Sequence, residues 1–265
     1  MMNKFENMLV RPLARRVLAI SQDKVMTPYK AFLRTACVGS AIIPKLFRIG
    51  RLDVTHAQKA HIEFLAQLNH SAHKMVDDVD IQSFLTNNSK AWRQELLKIN
   101  FENCFLNADF SLLDSFCELT DLKLKLPSGS VAYGHRKDFN FESGKKFELH
   151  EISFEKIQDA FDAVLNSKNS VSPHAPVVYL HYSSINDTRK KYISLSKSLL
   201  ENAWELENKY SFFRVLALDS DQYLPAETDN HPYHYSKKTL VALAEKLSII
   251  LNDFGIKSSR YVTLT

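Results

Sequence analysis

The sequence predicts an α/β protein: a three-layer α/β/α sandwich around a mainly parallel sheet, preceded by an N-terminal helical extension. Three observations predict it. In the C-terminal half, short apolar runs alternate with stretches of helical apolar spacing, the order expected when parallel strands are joined by crossover helices. One of those runs, Val177-Val178-Tyr179-Leu180-His181-Tyr182, is nearly continuous in apolar residues, as a strand buried on both faces is. The 265 residues, 45% hydrophobic and 24% charged, make one large globular domain with chain enough for a full core.

Taken in order, Met1 to Ser21 mixes Arg11, Arg15 and Arg16 with Leu9, Val10, Leu13, Val17 and Leu18. That is an amphipathic helix without a signal-peptide core, so residues 1–30 read as an extension and 31–265 as the α/β domain. Its apolar face suits packing on the domain, with peripheral association at a membrane surface as the other reading. Ala31 to Val38 is the first strand, ending at a Gly39-Ser40 turn before a helix that contains Ile42, Ile43 and Leu46. Thr55 to Gln67 and Lys90 to Phe105 read as helices, Leu112 to Leu126 contains a strand, and Val131 to Ile152 forms a small hairpin excursion. Ser153 caps a helix facing inward through Phe154, Ile157, Phe161, Val164 and Leu165, which ends in the Ser167 to Pro176 stretch. The Val177 to Tyr182 strand then turns at Ser183-Ser184-Ile185-Asn186-Asp187 into a helix with Tyr192, Leu195, Leu199, Ala203 and Leu206 on one face. Phe212 to Leu218 is the last strand. Ser236 caps the final helix, with Leu240, Leu243, Leu247 and Ile250 inward.

Composition excludes several classes of function. Lys+Arg 34 against Asp+Glu 30 gives a net charge of +4 with the basic residues scattered, so nucleic acid is not an expected partner. The six glycines form neither G-x-G-x-x-G nor a P-loop, which removes the two common nucleotide cradles, and no cofactor is expected. No apolar run reaches the length of a membrane span. Cys37, Cys104 and Cys117 form no close-spaced pair and read as small buried apolar residues in a reducing, cytoplasmic setting. His174, His181, His231, His234 and Asp229 supply metal-ligand types without any metal-binding spacing, and no metal is expected.

Chemistry is expected outside the carboxyl ends of the strands, where loops bring distant residues together. Ser40 lies after the first strand, Ser184 to Asp187 after a middle strand, and Asp229 to His234 after the last. A serine hydroxyl needs an imidazole to take its proton, a carboxylate to orient that imidazole, and donors for the oxyanion. Each has a bland alternative: Ser40 as a helix cap, Asn186 and Asp187 as helix-start residues, the late histidines as packed loop residues, and His181 as a core histidine.

The order Val38-Gly39-Ser40, Ser184-Ile185-Asn186-Asp187, then Asp229 with His231 or His234 resembles the SGNH/GDSL hydrolase superfamily, whose sheet is flavodoxin-like. Tyr233-His234-Tyr235 further resembles the aromatic-His-Tyr ending of an uncharacterised bacterial branch of it associated with surface polysaccharides. The resemblance covers roughly residues 31–251. It implies Ser40 as nucleophile, His234 as base with His231 as the alternative, Asp229 orienting the imidazole, and the Ser40 backbone N–H with Asn186 as the oxyanion hole. The implied activity is that of an esterase or O-acyltransferase on an acylated carbohydrate or cell-surface glycan precursor. Three departures stand out: Ser184 replaces the glycine of the G-x-N-D block, the family's second-block glycine has no counterpart, and one or four residues, in place of two, separate Asp229 from the histidine. They motivate the alternative, a non-catalytic domain binding a glycan or a protein in the same cleft.

Overall fold

The computed structural model describes residues 27–48, 50–58, 60–71, 84–142, 144, 146–227 and 231–258. The extension expected over Met1 to Ser21, and Asp229, lie outside them. Five parallel strands form the central sheet: β1 (Tyr29–Arg34), β2 (Leu52–His56), β3 (Phe110–Asp114), β7 (Val177–Leu180) and β8 (Phe213–Leu216), in the order β2-β1-β3-β7-β8. Leu33 pairs with His56 on one side and Leu112 on the other, and Leu113 with Tyr179. The expected sandwich is therefore what the chain builds. Helix α1 (Cys37–Leu46) packs against the last helix, α8 (Lys237–Asp253), while α2 (Ile62–Ser71) packs against α6 (Phe154–Val171) and α6 against α7 (Lys190–Lys209).

Burial follows from position in the sheet. All residues of β3 and β7 are buried, as strands covered on both faces must be, whereas the edge strand β2 has no buried residue, only exposed and half-buried ones. That polar edge explains why Thr55 belongs to a strand and not, as its spacing suggests, to a helix beginning there; α2 starts at Ile62. The helix expected over Lys90 to Phe105 is two, α3 (Asn87–Lys98) and α4 (Phe101–Leu106), because the Asn100 side chain accepts from the Asn103 N–H at 2.9 Å and starts a new helix. Lys168 of α6 is fully buried, and its ammonium donates to the carbonyls of Phe105, Leu106 and Ala108 at 2.8, 3.0 and 3.0 Å. It thereby satisfies the unpaired carbonyls at the end of α4. The Ser236 hydroxyl accepts from the Thr239 N–H at 3.2 Å, the cap the sequence announces.

Between β3 and α6 the chain makes an excursion, but not the hairpin expected over Val131 to Ile152: the two strands there each pair with the Leu122–Lys125 strand between them and not with each other. Helix α5 (Phe116–Thr120) leads into β4 (Leu122–Lys125), β5 (Val131–Gly134) and β6 (Glu148–His150), an antiparallel sheet of order β5-β4-β6. It has its own small core of Phe84, Leu85, Leu124, Leu126, Ala132 and Phe139, with Phe141 and Phe147 packed around it. Phe84 lies 5.2 Å from the Phe147 ring and 5.9 Å from the Phe139 ring.

Candidate functional site

The chain leaves β1 for β2 on one side and reaches β3 on the other, so the carboxyl ends of β1 and β3 flank the topological switch point of the sheet. The two turns that follow are held together by one carboxylate. Asp114, the last residue of β3, accepts from the Ala36 N–H at 2.5 Å and from the Phe116 N–H at 3.2 Å. Burial pushes the Asp114 pKa up to about 7, while nearby Arg34 and the Ala36 N–H act against that rise. Arg34, buried at the end of β1, makes a two-pronged pair with Glu118 at 2.6 and 3.2 Å and donates to the carbonyls of Ala60 and Asp114. Glu118 also accepts from the Ile62 N–H at 2.9 Å, so the network joins β1, β3, α5 and the start of α2.

This arrangement moves the first block relative to expectation. The strand ends at Arg34, two residues bridge, and α1 begins at Cys37. Ser40 is therefore the fourth residue of a helix and not the tip of a turn; it is exposed, and its N–H donates to the Ala36 carbonyl at 3.2 Å. Gly39 serves close packing, not a turn: a Cβ there would lie 2.3 Å from the Thr35 side chain. Cys37, expected to be buried, is exposed at the first helical position, three residues before Ser40 and on the same face of α1. Burial and the Asp114 charge raise the Cys37 thiol pKa, and the Tyr182 hydroxyl, 4.0 Å from Sγ, opposes the rise. Of the first-turn N–H groups, that of Val38 donates to Tyr182 Oη at 3.0 Å, that of Cys37 faces its own thiol, and that of Gly39 has no acceptor among the described residues.

Tyr182 connects the three expected blocks. Fully buried just beyond β7, it donates its N–H to Ser115 Oγ at 3.0 Å, and its ring lies 5.3 Å from Phe116 and 6.0 Å from Tyr233. Tyr233 Oη donates to Asp187 Oδ2 at 2.8 Å, and Tyr235 Oη to the Ser183 carbonyl at 3.0 Å. Thus the start of α1, the turn after β7 and the segment before α8 meet at one rim of the sheet. Asp187 is also gripped by Arg189 at 2.9 and 2.7 Å, which holds its carboxyl well below the usual range.

The individual partners fall less simply into place. His234 is half-buried, with its ring 4.3 Å from and stacked on that of the exposed His231. Among the described residues the Ser40 hydroxyl makes no hydrogen bond, to either histidine or elsewhere. The Asn186 amide donates to the Tyr223 carbonyl at 3.2 Å, so the Ser40 N–H and one of the two Asn186 Nδ2 hydrogens already have acceptors. His181 is a core histidine: Ser196 Oγ donates to the Tyr182 carbonyl at 3.0 Å, so Nε2 is the donor toward that hydroxyl at 3.4 Å, and burial lowers its pKa to about 4. Among the described residues no group of three His, Cys, Asp or Glu side chains is placed to hold a metal, and no helix is long and apolar enough to cross a membrane. Comparison with models of known protein families and with curated proteins finds no match to this chain.

Proposed function

We propose that the protein is an SGNH-like esterase or O-acyltransferase, acting on an acylated carbohydrate or a cell-surface glycan precursor at the carboxyl rim of the parallel sheet. The observation that carries this reading is the convergence through Tyr182: Val38 on its hydroxyl, Tyr233 on its ring, and Tyr233 in turn on Asp187. That convergence brings the first, middle and last blocks of the resemblance to one rim. Ser40 attacks the acyl carbonyl while His234 takes its proton, and His234 returns that proton to the departing alcohol as the ester C–O bond breaks to leave acyl-Ser40, with His231 as the alternative base and Asp229 orienting the ring. The oxyanion falls to the first turn of α1, where the Gly39 N–H has no acceptor among the described residues and the helix dipole favours negative charge. Water as acceptor gives hydrolysis, and a sugar hydroxyl gives transfer.

The second reading, a non-catalytic glycan- or protein-binding domain, is favoured by one observation: Ser40 N–H and Asn186 Nδ2 are engaged within the protein. A chromogenic acetyl ester separates the two. Turnover by the wild type that falls several powers of ten in Ser40→Ala, with the circular dichroism spectrum unchanged, is the result expected for catalysis. Equal background from both proteins supports the binding domain.

A further inference from the structure

The small antiparallel sheet carries a groove of about 640 Å³ lined by Lys125, Leu126, Pro127, Lys146, Phe147 and Glu148, a size within the range of small-ligand sites. Its floor is rigid, since Leu126 is buried in the small core and Phe147 packs against Phe84 and Phe141 at 5.2 and 5.3 Å. Its lining carries two cations and one carboxylate. Glu148 is turned to His150, with Oε2 3.2 Å from the imidazole, whereas Lys125 and Lys146 have no ion pair or hydrogen bond among the described residues. The small sheet, residues 122–150, holds six Lys and Arg against three Asp and Glu, with Glu118, Asp121 and Glu151 just outside these bounds and Lys123 paired with Glu63 at 2.6 Å.

We propose that this groove binds an anionic saccharide unit, a sugar bearing a carboxylate or phosphate group. The Lys125 and Lys146 ammonium groups pair with the anion, and Pro127 and Phe147 cover the apolar C–H face of the ring. A single pair of cations beside an apolar floor fits one charged unit, whereas an oligonucleotide brings a phosphate at every step and takes a longer basic track with stacking platforms. The choice of a saccharide rests on the acylated-glycan reading above; the anion subsite itself involves no residue of the acyl chemistry.

Calorimetric titration of the full chain with trigalacturonate, a glucose phosphate, maltotriose and an oligothymidylate tests this. Expected is binding of trigalacturonate, of the glucose phosphate or of both, weakened by salt, with maltotriose and the oligothymidylate at least about tenfold weaker. The double variant Lys125→Ala/Lys146→Ala loses that binding about tenfold or more, while Ser40→Ala retains it. The two lysines are exposed, and an unchanged thermal midpoint verifies that the double variant is folded. Equal affinity for the acidic and neutral saccharides, tighter binding of the oligothymidylate, or undiminished binding by the folded double variant overturns the proposal. Acetyl-ester turnover is read separately: binding without turnover keeps the subsite and removes the acyl reading, and turnover without binding does the reverse.

Discussion

The rim of the parallel sheet and the small antiparallel sheet solve opposite problems with similar residues. At the rim, charge is buried and spent inside the protein: Arg34 on Glu118, Asp114 on the Ala36 and Phe116 N–H groups, Asp187 on Arg189 and Tyr233. In the small sheet the buried part is largely phenylalanine and leucine, and Lys125 and Lys146 stay outside and uncommitted. Polar groups at the rim fix where backbone goes; in the small sheet Lys123 and Tyr133 are likewise spent on Glu63, at 2.6 and 2.7 Å, and Lys125 and Lys146 are the exposed cations without a partner among the described residues.

Breaking the rim has the larger expected effect. Arg34→Met leaves the buried Glu118 carboxyl without its cationic partner, and chemical denaturation should show a loss of about 3–5 kcal/mol across the whole domain. The paired change Arg34→Met/Glu118→Leu should recover most of it. In the small sheet, Phe84→Ala removes the ring that Phe139, Phe141 and Phe147 surround, a cavity worth about 3–5 kcal/mol. Here the loss is local: hydrogen exchange should accelerate in β4, β5 and β6 and stay slow in β3 and β7. Equal acceleration in both sheets would show that they unfold as one unit.

A smaller effect is expected from Tyr182→Phe, which strips the Val38 N–H of its acceptor. An unpaired buried donor costs about 1–3 kcal/mol, and denaturant midpoints read it directly. The pH dependence separates two buried groups of opposite sign. Asp114 has its pKa raised from 3.8 to about 7, so the folded chain holds that proton longer than the unfolded one, and this group lowers stability as pH rises from about 4 to about 7. His181 is lowered from 6.5 to about 4, so the unfolded chain protonates first, and this group lowers stability as pH falls through the same interval. Stability measured from pH about 4 to about 7 should rise more steeply with pH in Asp114→Asn than in the wild type. A parallel pair of curves would contradict the assigned burial of Asp114.

What the sequence made legible follows from where the signal was local. The Val177 to Tyr182 run announces a central strand because both its faces are apolar, and the Ser236 cap is read from residues four positions apart at most. The end of β1 was illegible for the opposite reason. Ala36, Cys37 and Val38 continue the apolar run of the strand, Ala36 has no capping side chain, and the carboxylate that fixes the turn comes from Asp114, 78 residues away. That moved the end of the strand by four residues, from Val38 to Arg34, and it concealed Cys37, Asp114 and Tyr182 as rim residues. The apolar run Phe110 to Leu113 ending in Asp114-Ser115 was the available signal: a carboxylate just past a buried strand stands where switch-point sites form. The convergence of the three blocks was legible in outline, because each follows a strand of one parallel sheet. The pairing of Tyr233 with Asp187 depends on side-chain reach across the rim, which no spacing encodes.

The most direct test of acyl chemistry at this rim is to trap its covalent intermediate. Incubation with an activated acetyl ester, followed by peptide mass mapping, should find the acetyl group on Ser40, retained in Cys37→Ser and absent from Ser40→Ala. An acetyl group on Cys37 alone, on residues away from the start of α1, or nowhere in the chain would contradict it.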